Sequence, residues 1–327
     1  MTEALRFGLV GAAGYIAPRH MRAIKEVGGE LVAAYDPADS VGILDSHFPH
    51  ARFFTEFERF DRHVDRIRRS GQKLSHVSIC SPNYLHDAHV RFALRSDADV
   101  ICEKPLVLNP WNLDGLAELE ADTGRRVNTI LQLRLHPAIL ELRRHVAAAP
   151  RSEMHEVDLT YITSRGAWYY ASWKGDENKS GGIATNIGVH FYDVLGFVFG
   201  ELRQNIVHHK AMDFASGYLE YERARVRWFL SINRKDLPEA AGAKPTFRSL
   251  TIDGRELEFS EGFGDLHTES YRQILAGKGY GVADVRQCIE TVSHIREAAP
   301  RPDLGEAHPY LKAALSDGAR YVDGWPV

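Results

Sequence analysis

Asp99-Val100-Ile101-Cys102-Glu103-Lys104-Pro105 is an apolar run that stops abruptly at a Glu-Lys-Pro tripeptide. Proline has no N–H for a strand ladder and pushes the residue before it toward extended geometry. The stretch therefore reads as a buried strand that ends at Lys104, with the lysine side chain projecting outward. In open α/β sheets, ligands bind at the carboxyl ends of the strands. Taken alone, Lys104 is equally well a surface lysine before a turn, so the rest of the chain must decide.

Upstream, Arg6 to Val10 forms a short apolar strand that runs into Gly11-Ala12-Ala13-Gly14-Tyr15-Ile16-Ala17 and then helix-like sequence to Val27. Strand, glycine turn and helix start are the setting of a dinucleotide site. Glycines let the backbone approach a pyrophosphate, and the helix N-terminus stabilises its charge. The next strand, Glu30 to Tyr35, ends in Asp36, 25 residues beyond Gly11. An acid about 20 residues on binds the adenosine ribose hydroxyls. Pro37 and Ala38 follow, with no arginine for a 2′-phosphate, so NAD is expected rather than NADP. Phe57, Phe60, Val64 and Ile67 recur at helical spacing, with Arg62, Arg66, Arg68 and Arg69 on the wet side. His76 to Cys80 is another buried strand, ending in Ser81-Pro82-Asn83-Tyr84-Leu85-His86. There Asn83 and His86 either meet the nicotinamide ribose or substrate, or cap a helix. The residues expected to hold the nucleotide are Gly11, Gly14, Tyr15, Ile16, Asp36, Ser81, Asn83, His86, Glu103 and Lys104.

A chain of 327 residues, 44% apolar, is long enough for two cores. The boundary is expected near 135/136, giving a nucleotide-binding Rossmann domain (1–135) and a substrate-binding and oligomerisation α/β domain (136–327). The net charge of −4, without a basic stripe, argues against nucleic acid. With no cationic leader at Met1 to Val10 and no run of about 20 apolar residues, a cytoplasmic protein with no membrane partner is expected. Cys80, Cys102 and Cys288 are widely spaced and read as buried thiols, with no structural metal.

These features, with Gly181-Gly182-Ile183-Ala184-Thr185-Asn186-Ile187-Gly188-Val189-His190 in the second half, resemble the Gfo/Idh/MocA oxidoreductases. The resemblance implies a Rossmann domain followed by an α/β domain with a large, mostly antiparallel open sheet, and a dimer or tetramer. It also implies that Lys104 and His190 form the catalytic pair. Many members carry Asp where Asn186 stands, so a simple Asp-His relay is not expected here. The stretches Glu103 to Trp111, Gln132 to Pro137, Tyr161 to Gly166 and Ser172 to Asp176 resemble one subgroup. Its members oxidise the C3 hydroxyl of UDP-N-acetylglucosaminuronic acid during synthesis of diacetamido-uronic acids for bacterial surface polysaccharide.

In the second half, Pro137 to Ala149 reads as a helix, and Val157 to Thr163 and Val226 to Ile232 alternate as strands. Leu250 to Gly254 and Leu257 to Phe259 form a hairpin on an Asp-Gly turn. Helices are expected at Thr268 to Leu275 and Ala283 to Ala299. Between Arg165 and Gly182, Trp168, Tyr169, Tyr170 and Trp173 lie among Arg165, Lys174, Asp176 and Lys179. Such a loop suits a sugar nucleotide, with aromatics on rings and cations on carboxylate or phosphate; packing on the sheet or on another subunit fits it equally. Ser180-Gly181-Gly182 opens a helix on which Asn186 and His190, four residues apart, project from neighbouring points.

The chemistry these residues suit is hydride transfer from a carbinol carbon to NAD, with a base taking the hydroxyl proton. Histidine has the pKa for that role unaided, and lysine acquires it when buried beside positive charge. His190 is assigned as base and Lys104 as donor to the developing alkoxide, with the reverse open. Lys104, Arg134, Arg165, Lys174, Asn186 and His190 are the expected substrate contacts. The alternatives are a dehydrogenase of another sugar or polyol such as inositol, and a non-catalytic NAD-binding sensor. A wide exposed sheet would favour self-association.

Overall fold

Leu9 and Val10 carry no exposed surface, because the strand they belong to is covered on both faces, as parallel sheets are. The computed structural model describes residues 5–257, 265–301, 306–316, 321–322 and 325–326. The chain forms two units: Met1–Leu135 with Gly264–Arg286, and His136–Phe263 with Gln287–Val327.

The first unit runs β1 (Arg6–Val10), α1 (Ala17–Glu26), β2 (Glu30–Tyr35), α2 (Ile43–His47), β3 (Arg52–Phe54), α3 (Phe57–Arg69), β4 (His76–Ile79), α4 (His86–Arg95), β5 (Asp99–Cys102), α5 (Pro110–Thr123) and β6 (Val127–Thr129). The six strands are parallel in the order β3-β2-β1-β4-β5-β6. Strand order reverses between β1 and β4, which puts the ligand crevice at their carboxyl ends. Those ends are Val10, leading to Gly11, and Ile79, leading to Ser81; β5 ends beside them, and Glu103 N–H continues the ladder to the Ile79 carbonyl at 2.9 Å. The α3 periodicity holds: Phe60, Val64 and Ile67 are buried, while Arg62, Arg66, Arg68 and Arg69 face water.

The second unit begins with α6 (Pro137–Ala148), β7 (His155–Thr163), α7 (Trp168–Ala171) and α8 (Glu177–Ser180). A π-helical turn (Ala184–Gly188), α9 (Val189–Phe199), β8 (Leu202–Lys210), β9 (Phe214–Tyr221), β10 (Ala224–Ser231), β11 (Thr246–Ile252) and β12 (Arg255–Glu256) follow. Its sheet, ordered β12-β11-β7-β10-β9-β8, pairs β7 with β10 in parallel and the remaining neighbours antiparallel. One face receives α9: Tyr192 meets the fully buried Trp228 edge-on at 5.6 Å. A Cβ on Gly217 would lie 2.6 Å from that indole, so the strand opposite must carry glycine. The other face carries the ion pairs Arg227–Asp158 and Arg225–Glu156. The β11–β12 hairpin turns on Asp253 (φ 50°) and Gly254 (φ 76°), the pair of positive φ angles that a type I′ turn requires. Glu258 and Phe259 lie outside the described residues.

The helix expected to open at Ser180-Gly181-Gly182 does so: α8 ends at Gly181 (φ 80°) and helix resumes from Gly182 through to Phe199, with a π-helical turn at Ala184–Gly188. Two expectations need revision here. The aromatic loop is partly helical, through α7 and α8. A single boundary at 135/136 also leaves out the return of α10 (Leu266–Leu275) to the first unit, where Tyr271 and Ile274 join the cluster around Phe7, Met21 and Ile24.

Beyond α10 come α11 (Val282–Glu297) and α12 (Pro309–Ser316). The latter seats Leu311 and Ala314 against Ile162, Phe214 and Phe229 of the second sheet. The stretch Glu177–Phe199 is apolar enough to cross a membrane by length and composition, yet 72% of its most apolar window is buried within the fold. Among the described residues it is the single helical stretch of that kind, and the three cysteines are all buried and free.

Candidate active site

In the first unit, the glycine turn is pressed against the end of β4. Gly11 has φ 89°, and a Cβ on it would lie 2.6 Å from backbone atoms of Cys80 and Ser81. At Gly14 a Cβ would lie 3.1 Å from the Gly11 carbonyl oxygen. No side chain caps the start of α1, so the chain leaves that helix N-terminus to a ligand's charge. Ile16 is partly buried with its side chain packed on the core cluster, and Tyr15 is 91% exposed. Asp36 Oδ2 accepts from Ala13 N–H and Oδ1 from Ala38 N–H, both at 2.9 Å. The carboxylate thus braces the glycine turn, and each oxygen keeps a lone pair for a ribose hydroxyl. These residues fit a dinucleotide without a 2′-phosphate.

At the end of β4, Ser81 Oγ bonds His89 Nδ1 at 2.9 Å, and burial pushes His89 down to about 4. Asn83 is buried in a 3₁₀ turn (Asn83–Leu85), and it is Leu85 that holds the cap position of α4. His86 departs from expectation. Its Nδ1 bonds the Pro105 carbonyl at 2.7 Å and its Nε2 the Ser81 carbonyl at 2.8 Å, leaving no ring nitrogen for a ribose or substrate. It ties the β4 and β5 ends together instead.

Glu103 departs likewise. Its Oε1 accepts from His20 Nε2 at 2.9 Å and His267 Nε2 at 3.0 Å, and Lys104 N–H reaches Oε2 at 3.3 Å. Burial pushes the Glu103 carboxyl up, but the hydrogen bonds from His20 and His267 outweigh it and hold the carboxyl well below the usual range. Its carboxylate is therefore turned into the protein rather than toward a cofactor. Lys104, next in the chain, is half-buried, and its peptide bond to Pro105 is cis. Arg134, expected on a substrate anion, is buried. Its guanidinium donates to the Asp284 carbonyl at 2.9 Å and lies 4.7 Å from the Tyr280 ring centre.

In the second unit, Tyr169 organises the aromatic loop. It is 3% exposed, and its hydroxyl accepts from Asn186 Nδ2 at 2.7 Å. Burial raises the Tyr169 hydroxyl's pKa against the lowering influence of Asn186 and the nearby Arg165. Lys174 stacks 4.3 Å from the Trp173 ring centre, and burial followed by repulsion from Arg165 lowers its pKa. Arg165, Lys174 and Asn186 thus gather around one tyrosine that sequence reasoning left without a role. Tyr169, Lys174 and Gly181 also line a cleft of about 200 Å³. Its other cations are Arg296 and Lys210, whose ammonium donates to the Arg296 and Ala298 carbonyls. His190 stands at the second position of α9, half-buried. Asn186 lies in the wider π turn before it, so their spacing is not that of a regular α-helix. Gly188 is the last residue of that turn, and a Cβ there would lie 2.6 Å from the Leu230 side chain of β10.

His20, His267 and Tyr271 also escaped the sequence reading. Each is a polar residue on a core-facing helix position, and nothing in the sequence pairs them with Glu103.

A doubly wound sheet with a nucleotide-ready glycine turn and a lysine at a strand end, joined to a mixed-sheet α/β unit, defines a nicotinamide-dependent oxidoreductase. Residues 5–130 match the NAD-binding Rossmann fold of the Gfo/Idh/MocA oxidoreductases and residues 153–299 their C-terminal α/β domain, and the chain belongs to that family. It is 50% identical to the WlbA (WbpB) dehydrogenase of Thermus thermophilus, whose structure was solved with NAD and UDP-GlcNAcA. That match has a TM-score of 0.90 and covers 94% of this chain and 99% of that one. The WlbA dehydrogenase of Bordetella pertussis, solved with NADH and UDP-GlcNAcA, shares the fold at 18% identity and TM-score 0.74, over 92% of this chain and 99% of that one. Inositol 2-dehydrogenase of Rhizobium meliloti (strain 1021) is 28% identical over 60% of this chain. The chain spans 44%, 35% and 56% of the lengths of three curated relatives it matches.

Proposed function

We propose that this protein is an NAD-dependent dehydrogenase that oxidises the C3 hydroxyl of UDP-N-acetyl-D-glucosaminuronic acid to the 3-keto sugar nucleotide. The observation that carries the reading is the 50% identity, across 94% of the chain, to a structure described with NAD and UDP-GlcNAcA. The biological setting is cytoplasmic synthesis of a diacetamido-uronic acid for lipopolysaccharide O-antigen. The working form is a homo-oligomer, tetramer or dimer, and the charged sheet face of Arg225 and Arg227 is a surface on which copies could pair.

NAD, when bound, supplies the hydride acceptor. His190 takes the hydroxyl proton, and Lys104 donates a hydrogen bond to the oxygen as negative charge develops on it. Asn186, its amide oriented by Tyr169, fixes the sugar ring. Arg165 and Lys174 meet the uronate carboxylate or the diphosphate, the lysine backed by Trp173. The first unit holds the cofactor through Gly11, Gly14, Asp36 and Ser81, and the second serves the substrate.

The test is nicotinamide reduction, read by absorbance, with UDP-N-acetylglucosaminuronic acid, UDP-N-acetylglucosamine or myo-inositol. Reduction with the uronate, lost in Lys104→Ala and His190→Ala while NAD binding persists, is the expected result. Reduction with inositol alone would favour the polyol reading, which the 28% identity to inositol 2-dehydrogenase supports. A protein that binds NAD and turns over none of the three acts on a different substrate, holds a trapped cofactor that needs a second oxidant, or is a sensor. The same Thermus enzyme was also solved with NAD and alpha-ketoglutarate, which supports a 2-oxoacid as the final oxidant. Turnover beyond one equivalent of NAD on adding 2-oxoglutarate checks that point.

A further inference from the structure

We infer that the buried cluster of Glu103, His20 and His267 is a positioning device that aims Lys104. The inference rests on the reading of Lys104 as a reactive residue.

Each neighbour of Lys104 is held by a different element. Glu103 N–H is bonded to the end of β4, and the Pro105 carbonyl accepts from His86 of α4. The Glu103 carboxylate is gripped by His20 of α1 and His267 of α10. Lys104 alone in the tripeptide is half-exposed, and it stands on a backbone fixed at both sides.

The proton count closes. Ser78 Oγ lies 2.6 Å from Tyr271 Oη, which lies 2.8 Å from His20 Nδ1. With serine donating to tyrosine and tyrosine to His20 Nδ1, His20 is a neutral imidazole whose Nε2–H points at Glu103. His267 supplies the second N–H to the same oxygen. With one N–H from each imidazole on the carboxylate, no polar hydrogen of the Ser78–Tyr271–His20–Glu103 chain is left unused. Burial, which lowers the pKa of His20, favours the same assignment. The three ligating atoms lie within 4.8 Å, a spacing a metal would accept, but these hydrogen bonds already satisfy them. What the cluster does is lock the Glu103 side-chain torsions. A carboxylate that loses one donor can rotate and carry the Lys104 amide with it, and a small misplacement of a reacting group lowers rate more than binding.

The experiment compares His267→Leu, His267→Gln and Glu103→Gln in the full chain, since glutamine returns an N–H donor where leucine cannot. Expected for His267→Leu is a kcat lower by about tenfold or more, with KM for the sugar nucleotide and Kd for NAD within about threefold. His267→Gln should recover to within about threefold of the parent kcat, and Glu103→Gln, an amide facing two N–H donors, should match the leucine variant. A merely structural cluster would lower Tm in the variants without that split or rescue. An unchanged kcat in His267→Leu, or a glutamine variant as slow as leucine, overturns the inference. So does NAD affinity lost in step with kcat. A second readout is free of turnover: reductive ¹³C-methylation, with the Lys104 resonance assigned by its loss in Lys104→Arg. His267→Leu, or His20→Gln if leucine prevents folding, should shift or broaden that resonance above all other lysines. An unmoved resonance overturns the inference. If the parent protein does not act on the sugar nucleotide, the substrate reading fails while this second readout still decides on the clamp.

Discussion

Lowering the pH should destabilise this protein through histidines that folding keeps neutral, and His89 gives the effect a size. Burial, with His86 adding to it, pushes His89 down to about 4, against 6.5 in an unfolded chain. Below pH 6.5 the unfolded chain takes up a proton that the folded one refuses. Stability is therefore whole above about pH 7 and declines as pH falls toward the folded value. At pH 5 the difference in proton binding amounts to about 2 kcal/mol. His308, in the second unit, is also pushed to about 4 by burial and should contribute similarly there. Glu103 adds little in this range, because a depressed carboxyl loses its contribution only as pH drops below its unfolded value. The assay is thermal unfolding at constant ionic strength between pH 7.5 and 5.0, for the parent and for His89→Asn, whose amide can still meet Ser81. Across that range the parent should lose roughly 4 to 8 °C more than the variant. Parallel curves would refute the assignment of His89 as a buried neutral base.

Three further outcomes follow from the geometry. Gly11→Ala, with a Cβ 2.6 Å from the Cys80 backbone at φ 89°, should weaken NAD binding by about 100-fold or more in a fluorescence titration. Arg134→Met should cost about 2 to 4 kcal/mol of stability in urea unfolding and leave KM for the sugar nucleotide unchanged. A raised KM at full stability would return Arg134 to the substrate. Tyr169→Phe removes the acceptor for Asn186 and should raise KM for the sugar nucleotide roughly fivefold with NAD affinity unmoved; an unchanged KM would show that Asn186 needs no such anchor.

Much of the first unit was legible because its strands are short, mostly apolar runs bounded by polar turn residues, as at Val100-Ile101-Cys102. Its ligand edge followed from strand ends alone. The second unit hid more. β8, Leu-Arg-Gln-Asn-Ile-Val-His-His-Lys, is an edge strand half in water, without the alternation that marks a one-sided sheet. The π turn before α9 has no local signature, and the close approach of Leu230 at Gly188 joins it to a strand some 40 residues away. Within the site, backbone-led features such as the glycine turn and Asp36 were readable. Side-chain fates such as those of His86, Glu103 and Arg134 were not, because a buried polar group's partner is chosen by tertiary contact. Asp284, which claims Arg134, lies 150 residues further on.

The return of α10 to the first sheet also sets an order of events during synthesis. Glu103 and one of its two histidine donors are separated by 164 residues. At ribosomal speed that is a wait of roughly 10 to 30 s after Glu103 has been made. Through that interval the nascent sheet has a carboxylate short of one partner and a core without Tyr271 and Ile274. A fragment ending at Leu135 would stay in that condition permanently. Completion of the first unit thus waits for α10, which is made only after the strands of the second sheet.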